Sequence, residues 1–122
     1  MDARELRIGN LITEYDNVLI QVSCWEFEKA RLNNNEDEMP WMQPIPLTEE
    51  WLLKFGFLED EKYDNTYCKY LCVLNGFTTM EYDLDNNLLL LDNMEIKIKH
   101  VHQLQNLYFA LTGKELEITK TK

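Results

Sequence analysis

Between Cys68 and Ile98 apolar-rich runs of strand length, alternating with polar residues at 80–85 and 94–98, are separated by three short polar pairs, and this pattern constrains the fold most. Period-two alternation belongs to strands buried on one face, and tight polar turns join such strands in antiparallel order. Asn75-Gly76 is a strong type I′ hairpin signal. It predicts Val73 opposite Thr78, Leu71 opposite Met80 and Lys69 opposite Tyr82. A turn at Asn86-Asn87 sets Leu84 against Leu89 and Tyr82 against Leu91, and one at Asp92-Asn93 sets Leu91 against Met94 and Leu89 against Ile96. All three turns direct the same residues inward: Leu71, Val73, Met80, Tyr82, Leu84, Leu89, Leu91, Met94, Ile96 and Ile98. The opposite face receives Cys68, Tyr70, Cys72, Thr79, Glu81, Asp83, Leu88, Leu90, Glu95 and Lys97. The expectation is a four-stranded antiparallel meander.

Helices flank this region. Thr48 is a suitable N-cap, with Glu49 and Glu50 at the positive end of the helix dipole. Leu47 and Leu52 are spaced as a hydrophobic staple, Trp51, Leu52 and Phe55 supply the apolar face, and Gly56 fits the C′ position. A second helix is expected from His100 to Thr112, where Val101, Leu104, Leu107, Tyr108 and Leu111 share a face and Gly113 closes the end. The tail from Ile118 to Lys122 is expected to fray.

Upstream, Ile8, Leu11 and Ile12 precede a turn at Tyr15-Asp16-Asn17, and Val18, Ile20, Val22 and Cys24 then alternate as a half-buried strand. Trp25 and Phe27 take the other parity, so a bulge or new strand is expected near Cys24. Residues 33–38 carry no apolar side chain and read as a loop. Met39 to Pro46 holds three prolines and should run extended.

With 122 residues and 45% hydrophobic content, the chain should form one domain with a packed core. The fold class is α+β: an N-terminal β-rich half, a short helix, the meander, and a C-terminal helix packed on the sheet. The single domain 1–122 could be subdivided into 1–46 and 47–116. No apolar run approaches the roughly 20 residues of a membrane span, and the polar start MDARELR does not read as a signal peptide. Cys68 and Cys72 on one strand would lie about 13 Å apart, beyond the disulfide limit of about 7 Å. Three cysteines without CxxC spacing suggest an intracellular, reduced protein.

The net charge of −10 argues against direct nucleic-acid binding, which needs clustered Lys and Arg. From Glu36 to Glu95 fourteen acids meet three bases, Lys54, Lys62 and Lys69, a net −11. The flanks hold eight acids and nine bases, so the excess charge lies wholly in the middle of the chain. Such clusters commonly only solvate loops. They can also steer a basic partner. Carboxylates at alternate strand positions repeat every ~6.6 Å, so Glu81, Asp83 and Asp85, joined by 36–38 and 59–61, could imitate a track of phosphates. The same spacing would suit acid–base catalysis by Glu81 and Asp83, but no pocket signal accompanies them. Their ordinary role is a solvated strand face.

Two apolar groups look misplaced for a monomer. Leu88 and Leu90 with Tyr70 point off the core face, and Trp41-Met42 sits beside an acidic run. Covered, they are core; exposed, they resemble an interaction hot spot rimmed by acids. His100 and His102, two apart, would project about 200° from each other on a helix and are not expected to share a metal. No phosphate loop, serine elbow or HExxH motif occurs, so no catalytic, metal or cofactor residue is assigned.

The run Pro44-Ile45-Pro46-Leu47-Thr48-Glu49-Glu50-Trp51-Leu52-Leu53-Lys54-Phe55-Gly56-Phe57, the run from Val101 to Leu116, and the Arg7-Ile8-Gly9-Asn10-Leu11 start together resemble small proteins carried by bacterial phages and mobile elements. The resemblance covers about thirty-five residues in the same order and brings no known catalytic residue. It implies a setting in which small acidic proteins often inhibit host defence, CRISPR effectors included, by occupying basic nucleic-acid channels. The expected function is therefore a non-enzymatic, anti-CRISPR-like module that binds a basic surface of a host protein, such as a CRISPR effector or other nuclease. Glu36, Asp37, Glu38, Glu59, Asp60, Glu61, Glu81 and Asp83 would steer and pair with the partner, and Trp41 and Tyr70 would anchor it. The alternative is a structural or accessory phage protein that forms a homo-oligomer through Leu88 and Leu90. A metal-dependent hydrolase using Glu81 and Asp83 comes last.

Overall fold

A computed structural model describes residues 5–14, 18–25, 42–73, 76–91 and 94–118. It is α+β, with a three-stranded and a five-stranded sheet, both antiparallel, and a C-terminal helix. Two compact units divide the residues: 1–46 with 100–106, and 47–99 with 107–122.

In the first unit, β1 (Leu11–Glu14) lies between β2 (Val18–Gln21) and β3 (Met42–Gln43). The ladder extends past Gln21, because Val22 N–H donates to Asn10 O and Gly9 N–H donates to Val22 O, both at 2.8 Å. Val22 is buried there. Cys24 and Trp25 lie in a helical turn and are exposed, not in a bulge or strand, and Phe27 lies outside the described residues. Val18 is exposed too, so the alternation holds at Ile20, half-buried between exposed neighbours, and at Val22, but not at Val18 or Cys24. Met42 pairs with Glu14 and is buried, so of the two readings of Trp41-Met42 the covered one holds for Met42. The extended path expected here is seen from Met42 to Pro46, where Pro46 bridges to His100.

A polar network holds this unit together. The first half of α2 (Val101–Thr112) presents Gln105 and Asn106 to the chain before β1. Asn106 Oδ1 accepts from Asn10 Nδ2 at 2.8 Å and from Arg7 Nε at 3.2 Å, and Asn106 Nδ2 donates to Glu5 O. Gln105 Oε1 accepts from Leu11 N–H at 2.8 Å. Asn10 and Gln105 are buried, and these bonds offset the desolvation of their amides.

The second unit begins with α1 (Glu49–Lys54), bounded as its sequence predicts. Thr48 Oγ1 accepts from Trp51 N–H, and Lys54 pairs with Glu50 at 3.2 Å. Phe57 N–H donates to Leu52 O and Gly56 N–H to Leu53 O, the paired bonds of a Schellman closure. That closure needs a left-handed residue, which Gly56 supplies at φ 87°. Leu47, Leu52, Phe55 and Phe57 are all buried.

Five strands follow: β4 (Leu58–Glu59), β5 (Thr66–Val73), β6 (Gly76–Asp83), β7 (Leu88–Leu91) and β8 (Met94–Lys97), in that spatial order. The sheet thus exceeds the expected four strands by an edge strand too short to show periodicity. Two registers differ from the turn-based expectation. Val73 pairs with Gly76 and Leu71 with Thr78, and Tyr82 pairs with Leu89, each two residues out. Residues 74 and 75 lie outside the described set. The β6–β7 connection spans four residues, Leu84–Asn87, with Asn87 left-handed at φ 53°. Asp83 stabilises it by accepting from Asp85 N–H (3.0 Å) and Asn86 Nδ2 (2.8 Å). The β7–β8 register is as expected, with Leu91 opposite Met94.

A two-residue slip preserves strand parity, so the faces survive the register change. Leu71, Met80, Tyr82, Leu89, Leu91 and Ile98 are buried, joined by Tyr67. Met94 is an exception at 56% exposed: it lies on β8, which has no further strand beyond it among the described residues. The side chains of Cys72 and Val73 are outside the described set. Residues 107–112 of α2 and the 113–118 segment belong to this unit, and Gly113 closes the helix at φ 73°. Ile118 is exposed, and residues 119–122 lie outside the described set.

Candidate functional site

The solvent-facing side of the five-stranded sheet carries the exposed residues that the alternation assigned to it. Directly paired residues share a face, so Leu58, Cys68, Glu81, Leu90 and Glu95 form one row across all five strands. Thr66, Asp83, Leu88 and Lys97 form a parallel row. Tyr70 stands beside Cys68 and is 74% exposed, and Leu58 is 65% exposed. Leu88 and Leu90 are half-buried.

At the β6–β7 end this face hollows into a concavity of about 420 Å³, lined by Tyr63, Asp64, Thr66, Glu81, Asp83, Asp85 and Leu90. Asp60 shapes one wall: its Oδ1 accepts from Lys62 N–H and Tyr63 N–H, folding 60–63 into a turn that leaves Tyr63 63% exposed. Asn65, left-handed at φ 55°, donates through Nδ2 to Asp85 Oδ1 at 3.1 Å and ties the opposite wall. Four carboxylates thus converge around one tyrosine and one leucine. Burial pushes the Cys68 thiol above its ordinary range, reinforced by Asp60 and Glu81 nearby. A thiol so held is a poor nucleophile.

The expected acids are only partly united. Glu81 and Asp83 meet as anticipated, Asp60 acts with Glu81 on Cys68, and Glu61 is exposed and does not line the concavity. Asp85 belongs to the turn after β6 rather than to the strand, so the even strand spacing ends at Asp83. Glu59 leaves the group: it pairs with Tyr67, on the other face. Burial raises the Tyr67 phenol to about 12, helped by a hydrogen bond to Glu49 and by the charges of Glu49 and Glu59. Glu36, Asp37, Glu38 and Trp41 lie outside the described residues. Tyr63, Asp64 and Thr66 had no distinguishing sequence signal; the Asx-type turn at Asp60 was the one local cue available.

Among the described residues no group of three or more His, Cys, Asp or Glu could hold a metal ion. Both oxygens of Asp83 are engaged in the turn, whereas the Glu81 carboxylate has no hydrogen bond among the described residues. A second concavity of about 550 Å³ is lined by Lys69, Tyr108, Lys114, Glu115, Leu116 and Glu117. Lys69 Nζ there donates to Phe55 O at 3.0 Å, at the carbonyl end of α1, and desolvation lowers its pKa.

His100 and His102 differ from expectation. His100 precedes the helix and bridges to Pro46, so ideal helical spacing does not apply to the pair. Their rings stack, with centroids 5.8 Å apart and planes at 14°. His102 is buried, and neither ring nitrogen has a hydrogen-bond partner among the described residues. No described helix is long and apolar enough to cross a membrane. Comparison with protein-family models, curated proteins and solved structures finds no match.

Proposed function

We propose that this chain is a non-enzymatic binding module whose outer sheet face receives a basic surface of another protein. The observation that supports the reading is the acidic concavity itself, in which Asp64, Glu81, Asp83 and Asp85 surround Tyr63 and Leu90, with Tyr70 exposed on the same face. An aromatic or aliphatic centre ringed by charge is the composition of a protein-binding hot spot, and like charges gathered at one place raise the encounter rate with an opposite surface. The resemblance to phage and mobile-element proteins adds a partner class: a nucleic-acid-guided defence nuclease of the bacterial host, met in its cytoplasm through its basic channel.

The test is affinity capture from such a host followed by measured binding of the recovered partner. Raising salt from 50 to 500 mM shortens the Debye length from roughly 14 to 4 Å, so affinity should fall steeply, and Glu81→Gln should weaken binding without changing stability. Salt-independent binding removes the electrostatic core of the proposal. A second reading, self-association through the same face, draws on the half-exposed Leu88 and Leu90. Light scattering separates the two, since a stable oligomer dissolved by Leu90→Asp favours self-association.

A further inference from the structure

The outer face ends at a strand edge that is only half covered. β6 pairs all eight residues of β5, whereas β4 pairs only Tyr67 and Cys68. In an antiparallel ladder successive residues direct their N–H and C=O to opposite sides. Leu84 N–H donates to Asn65 O, so residues 65, 67, 69, 71 and 73 turn toward β6 and residues 66, 68, 70 and 72 turn toward the β4 side. On that side Asp60 N–H donates to Thr66 O, and Leu58 lies opposite Cys68. The next pairing would set Gly56 against Tyr70, but Gly56 N–H is already turned back to Leu53 O in the closure of α1. The chain therefore leaves the ladder, and the N–H and C=O of Tyr70 and Cys72 have no backbone partner among the described residues.

We propose that this open edge at Tyr70–Cys72 accepts an extended segment of a basic partner protein, added to the sheet as a strand end to end with β4. The proposal rests on the binding function above and specifies how the partner is held. Main-chain bonds to Tyr70 and Cys72 supply the docking, as in other strand additions, and alternate side chains of the incoming segment come to lie on the outer face. There they meet the Tyr70 ring and approach Asp60 and Glu81, the two carboxylates whose charges act on the neighbouring Cys68. Lys or Arg at alternate positions complements that field. A second copy of this chain, itself at −10, does not.

The probe is a fluorescein-labelled heptapeptide of alternating Lys and Val, followed by anisotropy against the whole protein. Two further peptides carry N-methyl groups, one on every Lys amide and the other on every Val amide, and a fourth replaces Lys with Glu. The Lys–Val peptide should bind, the Glu–Val peptide at least roughly tenfold more weakly, and one of the two methylated peptides likewise, because methylation removes the donors on one strand edge. Amide exchange at Tyr70 and Cys72 should slow on binding. Equal binding by both methylated peptides, unchanged exchange at Tyr70 and Cys72, no binding of the Lys–Val peptide, or exchange protection in a peptide-free dimer each overturns the edge proposal. Binding by both methylated peptides that is still weakened by Glu81→Gln overturns the strand addition alone and leaves the acidic-face function standing. Salt-independent binding of the captured partner is what defeats that function.

Discussion

Acidification from pH 7 to pH 4 should destabilise this protein by about 3 kcal/mol through one side chain, His102. The ring is 1% exposed, and neither nitrogen finds a hydrogen-bond partner among the described residues. Burial, with the charge of His100 as the lesser cause, lowers its pKa from 6.5 to about 4. The folded state therefore keeps the imidazole neutral while the unfolded chain protonates below pH 6.5. Between pH 6.5 and 4 the unfolded state binds more protons, so stability falls as pH falls, and the loss levels off below pH 4. A gap of this size corresponds to about 2 kcal/mol at pH 5 and about 3 kcal/mol at pH 4, from 1.36 kcal/mol per unit. Urea midpoints followed by circular dichroism, for the natural chain and for His102→Leu, read this out. Leucine fills a comparable space and breaks no hydrogen bond seen in the structure. Carboxylates titrate in the same window in both proteins, so the difference between the two profiles isolates His102. That difference should grow by about 2 kcal/mol from pH 7 to pH 5. A flat difference profile would refute the reasoning, since it would mean that the buried ring is already hydrated or paired.

Three further substitutions test the fold. Gln105→Leu removes the acceptor of Leu11 N–H at 2.8 Å and should cost about 1–3 kcal/mol in urea unfolding; a neutral result would mean water replaces the amide. Tyr82→Phe leaves the Ile98 carbonyl without its hydroxyl donor and should cost about 1–2 kcal/mol, measured the same way. Gly113→Ala places a Cβ that meets nothing within 4 Å, so only the left-handed backbone at φ 73° opposes it. A loss of about 1 kcal/mol in a thermal melt is expected, and Gly113→Asn should lose less, because Asn tolerates that conformation.

The parts legible in the sequence are those whose cause is local. Thr48, Leu47, Leu52 and Gly56 delimit α1 because caps, staple and left-handed closure act within a few residues. The faces of the large sheet were legible at Leu71, Met80, Tyr82 and Leu89, because side chains alternate whatever the partner strand does. Register was not. A slip of two residues leaves every face unchanged, so nothing in the hydrophobic pattern opposed the Asn75-Gly76 turn signal, and the pairing of Val73 with Gly76 overrode it. At the β6–β7 turn the deciding contacts are Asp83 with Asp85 N–H and Asn86, which become evident only once the loop has closed. The candidate site shows the same division. Glu81 and Asp83 were readable as neighbours on one strand face, but Tyr63, Asp64 and Asp85 reach them from separate loops, and Glu59 leaves them because its strand partner is Tyr67.

By itself, then, the sequence determined the α+β composition, the inward and outward residues of each long strand, the limits of α1 and α2, and the concentration of negative charge between Glu36 and Glu95. Each of these follows from periodicity, capping or composition, which act along the chain. Tertiary structure alone decided the β5–β6 and β6–β7 registers, the short β4, the half-covered edge at Tyr70, the interlock of Asn10 with Asn106, and the burial of His102. Those depend on which distant segments meet, and no local propensity encodes the free energy of pairing residues that lie ten to a hundred positions apart.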